Sequence, residues 1–209
     1  MKSPSVLFQL YTDNTQLHAS SRPDDFSCLH QRLEACVGDF SQWCASRHFQ
    51  LNADKTETLL LVSRANITKL ATQDQSLQIS SETIKPTTVV RDLGVLLDSE
   101  ISMKHHVTKL AAVCHYHLRR LRQICRRVGM ETTTRLVLAM ITSRLDYCNS
   151  VLAVLPQSTL DPLQRLQNAA ARVIFIVGKQ EHVSLYLEQL HWLQVGARVQ
   201  FKLCTLMTP

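Results

Sequence analysis

Three groups of side chains in this sequence have the types and spacing to do chemistry. Tyr11-Thr12-Asp13-Asn14 sets a carboxylate beside an amide between two short β-prone runs, Val6–Tyr11 and Thr15–His18. A hairpin tip that presents a carboxylate suits two-metal phosphoryl transfer, where carboxylates hold Mg²⁺ ions roughly 3.5–4 Å apart. Taken alone, Asp-Asn is also ordinary turn chemistry, because both side chains tolerate positive φ. The second group is a run of cations: Lys104, Lys109, Arg119, Arg120, Arg122, Arg126 and Arg127, with no acid between Glu100 and Glu131. Such a run is the footprint of a polyanion-binding surface, and equally of a solvated helix face. The third group, His105, His106, Cys114, His115 and His117, offers zinc ligands by type. Only Cys114 and His117 fall at a facing helical interval, and four ligands are needed, so buried Cys and partly exposed His are the better reading.

Charge and composition bound the rest. The chain has 209 residues, 45% hydrophobic and 19% charged, enough apolar material for a sizeable core. Its net charge of +6 is unevenly spread. Residues 1–100 hold nine Lys or Arg against twelve Asp or Glu, and residues 101–209 hold fourteen against five. No GxGxxG or GxxxxGK[ST] occurs among the five glycines, which excludes Rossmann and P-loop readings. The longest apolar runs, such as Val173 to Val177, are too short to span a bilayer, so no membrane partner is expected. Seven cysteines without a CxxC pair point to a reduced, intracellular chain.

These groups must be positioned by two different kinds of structure. Residues 1–100 read as a hairpin, a helix and several antiparallel strands. Arg22-Pro23-Asp24-Asp25 opens the helix with acids near the positive end of its dipole. Phe26, Leu29, Leu33, Val37, Phe40 and Cys44 then repeat at helical spacing. Glu57 to Ser63 reads as a strand buried on both faces, and 64–75 as a loop. Leu77-Gln78-Ile79 with Thr83-Ile84, and Val89-Val90 with Val95-Leu96-Leu97, read as strand pairs, the second turning at Arg91 to Gly94.

From Ile101 the period becomes helical. Val107, Leu110, Cys114, Leu118, Leu121, Cys125 and Val128 form one stripe, with the cations on its flank and back. A second helix is expected from Thr132 to Leu155, aligning Leu138, Ile141, Leu145, Cys148 and Leu152 and stopped by Pro156. A third is expected to start at Asp161-Pro162 and to align Leu163, Leu166, Ala170, Val173 and Val177, with shorter helices over 182–207. Trp43 and Trp192 lie in apolar helical faces and read as core. The fold class is therefore α+β.

Several segments, taken in order, resemble one family. Tyr11 to Leu17 (YTDNTQL) is similar to the YADDTQL segment of reverse transcriptases from non-LTR, jockey-like long interspersed retrotransposons. Leu51-Asn52-Ala53-Asp54-Lys55-Thr56-Glu57 resembles their LNxxKTE segment, and Arg91 to Asp98 their primer-grip hairpin. Ser143 to Ser150 (SRLDYCNS), Gln167 to Arg172 (QNAAAR) and His191-Trp192-Leu193 resemble further blocks. The likeness runs from about residue 6 to residue 203.

The resemblance implies a partial antiparallel palm sheet with one packed helix over 1–100, and a helical thumb-like bundle over 101–209. It assigns the metal-binding carboxylates to Asp13 and, imperfectly, to Asn14, where the family has a second aspartate. An amide oxygen can ligate Mg²⁺ but adds no negative charge. Lys55 would lie near the incoming nucleotide or the leaving pyrophosphate, and Gly94 in the primer-grip turn. An RNA template and a DNA primer would be the partners of the intact enzyme. The family's other catalytic aspartate and its fingers lie upstream of the Tyr-x-Asp-Asp turn, so this chain is expected to be inactive in polymerisation by itself. The rival expectations are a non-enzymatic nucleic-acid-binding module and a helical interaction protein, with self-association through an exposed palm surface.

Overall fold

The computed structural model describes residues 6–11, 14–63, 66, 70, 74–79 and 82–208. Thr12 and Asp13 of the first turn lie outside the described residues, as does most of the polar stretch 64–75. The fold is mixed α+β and mainly helical, and the chain divides into two compact units. One comprises residues 1–90 with 98–101, the other residues 91–97 with 102–209. Residues 91–97, most of one hairpin, and Ile101 fall on the other side of the expected division at 100/101.

In the first unit, β1 (Val6–Tyr11) and β2 (Asn14–Ala19) pair antiparallel, with Tyr11 opposite Asn14 at the closed end. A 3-10 turn at Pro23–Asp25 leads into α1 (Phe26–Ser46). The proline fixes φ where no helical hydrogen bond is yet required, and the acids follow at once. Phe26, Leu29, Val37 and Cys44 form the buried face of α1. That helix packs against β3 (Leu77–Ile79), itself paired antiparallel with β4 (Glu82–Ile84). The His30 imidazole ties the two together by donating from Nε2 to the Ser76 carbonyl at 2.8 Å. Trp43 departs from its expected core position: it is 53% exposed and stacks on Phe40.

Glu57 to Ser63 is not a strand. Its one bridge joins Leu59 to Thr87, Leu59 and Leu60 are half-buried, and Leu61 is exposed. An apolar run becomes a strand only against a continuous neighbour on its edges, and among the described residues this one has a single bridge, with the Thr87 N–H donating to the Thr58 carbonyl at 2.9 Å. Among the described residues the strands consequently form three separate two-stranded sheets rather than one palm-like sheet.

The third hairpin is β5 (Val89–Asp92) and β6 (Val95–Asp98), turning at Leu93-Gly94. In the second unit, α2 (Lys104–Val137) follows it. Buried Val107, Cys114, Leu118, Leu121 and Cys125 confirm the expected stripe, while Val128 at its end is exposed. Gly129, at φ 79 and ψ 167, kinks α2. Beyond the kink the helix passes through a π turn at Leu138–Thr142 into α3 (Ser143–Asp146). The wider turn keeps Thr133, Val137, Ile141 and Leu145 buried in one line four residues apart. Leu138, expected in that line, is exposed, and the helix ends at Tyr147 rather than Leu155.

Next, α4 (Gln157–Phe175) is capped by Pro156, five residues before the expected cap at Asp161, and Pro162 sits within its second turn. Past the first turn a proline removes one helical hydrogen bond and its ring crowds the carbonyl four residues back, so Pro162 is a local defect that the packing of α4 outweighs. Leu163, Leu166, Ala170 and Val173 face α2 across the core. Finally α5 (Ser184–Gln189) and α6 (Val195–Met207) close the unit. Among the described residues no helix is long and apolar enough to cross a membrane.

Candidate nucleic-acid interface

All seven predicted cations, Lys104, Lys109, Arg119, Arg120, Arg122, Arg126 and Arg127, are exposed on α2. The same helix buries its apolar stripe against α4, so the side chains left over point to solvent. At 1.5 Å rise per residue the basic surface is about 35 Å long. At 100° per residue the cations fall into two rows: Lys104, Arg119, Arg122 and Arg126 on one flank, Lys109, Arg120 and Arg127 across the back. Arg120 is held in place by Tyr116, donating from Nη1 to the phenol oxygen at 3.1 Å with its guanidinium 5.8 Å from the ring centre. Tyr116 in turn meets the His117 ring edge-on. The surface ends at the Gly129 kink, beyond which Arg135 is paired with Glu131 at 2.7 Å.

The His/Cys group is scattered around this helix. His106 and Cys114 are buried, His105 and His115 exposed, His117 half-buried. Burial pushes the Cys114 thiol up to about 11, against the opposing pull of Arg144, and lowers the His106 pKa. Among the described residues no three metal-ligating side chains come together.

The catalytic candidates are less assembled. Tyr11 is exposed and donates its hydroxyl to Gln9 at 3.1 Å. Asn14 opens β2, exposed, and Asp13 lies outside the described residues. Lys55 is exposed in a 3-10 turn, Ala53–Lys55, that the Asn52 carbonyl holds by accepting from the Lys55 backbone N–H and the Thr56 hydroxyl. No hydrogen bond or ion pair among the described residues joins Asn14 to Lys55. The Lys55 turn borders an open cavity of about 400 Å³ lined by Gln50, Asn52, Asp54, Ile79 and Glu82. Of the expected carboxylate–amide pair, only the Asn14 amide lies among the described residues.

Gly94 is positioned by the second unit. It takes φ 89, open to glycine at little cost, and the Tyr147 ring would lie 3.5 Å from a Cβ there. The Tyr147 hydroxyl donates to the Leu93 carbonyl at 2.5 Å, and the Leu96 N–H donates to His106 Nδ1 at 3.4 Å. These contacts fasten the turn of the β5–β6 hairpin to the ends of α2 and α3.

Sequence reasoning missed the ties within the helical unit. Arg198 Nη1 donates to both Asp146 carboxylate oxygens, at 3.0 and 2.8 Å. Buried Gln167 donates to the Leu193 carbonyl at 2.8 Å, and Gln164 accepts the first N–H of α6, that of Val195, at 2.9 Å. The available signal was a glutamine, Gln167, amid the stripe of Leu163, Leu166 and Ala170, where a polar side chain needs a partner. Arg172 likewise donates to the Glu181 carbonyl at 3.2 Å. Asp146, Tyr147, Gln167 and Arg172 each join elements of the fold. No protein-family model, curated protein or solved structure matches this chain.

Proposed function

We propose that this chain is the palm and thumb-like part of a reverse transcriptase of the non-LTR retrotransposon type, and that it binds nucleic-acid backbone along α2 without transferring nucleotides. The observation that carries the reading is the surface of α2 from Lys104 to Arg127, which presents seven exposed cations and no acid. Phosphates attract such a surface by charge, with counterion release supplying the affinity. The order of the family-like segments along the chain supports the lineage. Asn14, where the family has an acid, supports the lack of transfer, because an amide cannot supply the negative charge that holds a divalent ion. The substrate class is an RNA template with a DNA primer.

Fluorescence anisotropy with a labelled RNA–DNA hybrid, titrated at several salt concentrations, tests the binding. Affinity should fall steeply with salt and fall further when Arg119, Arg120 and Arg122 become Gln. Salt-insensitive binding, or none, would reject it. Primer extension with Mg²⁺ or Mn²⁺ tests the second half of the proposal: synthesis that disappears in Asp13→Asn would show a working polymerase.

A further inference from the structure

We propose that β1 is the docking edge for a second copy of this chain, and that two β1 strands pair antiparallel about a two-fold axis into one four-stranded sheet. The inference does not depend on the nucleic-acid reading. Among the described residues β1 pairs only with β2, so its other edge has no strand beside it. In an antiparallel hairpin alternate residues of a strand aim their N–H and C=O away from the partner, and here those groups are left for another chain. Natural edges are protected by Lys, Pro or bulges. The segment Val-Leu-Phe-Gln-Leu-Tyr has no charge, no proline and no glycine. Leu7, Phe8 and Leu10 are 65%, 64% and 62% exposed.

Charge and register select a copy of β1 as the occupant. A strand facing itself about a two-fold axis must tolerate its own side chains, and a neutral strand does so without repulsion. Alternation places Val6, Phe8 and Leu10 on one face of the sheet. A pairing centred on Phe8 sets Phe8 against Phe8 of the second copy, and Val6 against its Leu10, so apolar residues meet apolar ones throughout that face. Pairing of β1 with the outer edge of β2 would instead set that face beside Thr15, Leu17 and Ala19, the β2 residues that share it, with no like-for-like register to hold it. It would also join copies head to tail, which does not close, whereas the symmetric pairing stops at two.

Size-exclusion chromatography with light scattering, on the full chain without nucleic acid, tests this across the micromolar range. The expected mass is twice the 23.7 kDa of one chain. Phe8→Lys and Phe8→Glu should each be monomeric with unchanged helical circular dichroism, since Phe8 contributes little to the buried core. Mixed in equal amounts, the two variants should again give a dimer, because position 8 then faces its opposite charge. His18→Lys, on the strand outside the new pairing, should leave the dimer intact. A wild-type monomer at every concentration overturns the proposal. So does a dimer that survives in either charged variant alone, or a mass that grows past two copies.

Discussion

Tyr147 and Leu93, 54 residues apart in sequence, are joined by the phenol hydroxyl donating to the backbone carbonyl at 2.5 Å. The bond fixes the turn of the β5–β6 hairpin, and the same ring covers Gly94. Tyr147→Phe should lower the stability slightly, because the hydrogen bond it removes is exposed to water. Gly94→Ala should cost about 1–3 kcal/mol, because φ 89 is strained for any residue with a Cβ. Urea unfolding of both single variants and the double variant checks this, and a coupling energy near zero would show that ring and turn act separately.

Asp146 and Arg198 form the second long-range tie, a two-pronged ion pair with the arginine mostly buried. Asp146→Asn should cost about 1–2 kcal/mol, reduced by the exposure of the carboxylate side. Thermal melts should show the loss persisting at high salt, in contrast to Glu131→Gln, whose exposed pair with Arg135 should change the midpoint hardly at all.

The α2 surface predicts a graded salt effect. Each of Arg119→Gln, Arg122→Gln and Arg126→Gln should lower the slope of log affinity against log salt by about 1 if that arginine neutralises a phosphate. Arg135→Gln is the matched control, since its charge is already paired with Glu131. An equal effect at Arg135 would indicate general attraction to the basic half rather than a defined face.

His106 makes stability depend on pH. Burial lowers its pKa below 6.5, and Nδ1 accepts the Leu96 N–H, so the folded chain holds the ring neutral. The unfolded chain takes up the proton more readily. Its contribution is therefore complete above pH 6.5 and is lost as pH falls through the interval down to the lowered folded value. His106→Gln keeps an acceptor and should flatten the midpoint-against-pH curve across that interval, measured by differential scanning calorimetry.

Local patterns were legible where a single element decides the outcome. The β1–β2 hairpin, α1, the α2 stripe and the β3–β4 and β5–β6 pairs follow from alternation or helical period in the sequence, and all seven α2 cations are exposed as the stripe requires. The errors have one physical origin. Glu57 to Ser63 has the composition of a strand but, among the described residues, a single bridge beside it, Leu138 leaves its stripe because a π turn widens the helix, and Trp43 faces solvent because α1 buries a narrower face than its apolar content allows.

By itself, the sequence determined the α+β class, the uneven distribution of charge and the basic face of α2. These depend on residue type and on periods of two or 3.6, which neighbours along the chain establish. Tertiary structure alone decided that the β5–β6 turn is fastened by Tyr147, that Asp146 meets Arg198, that Gln164 and Gln167 hold the start of α6, and that β1 pairs only with β2 among the described residues. Those outcomes require groups tens of residues apart to meet, and local periodicity carries no record of such meetings.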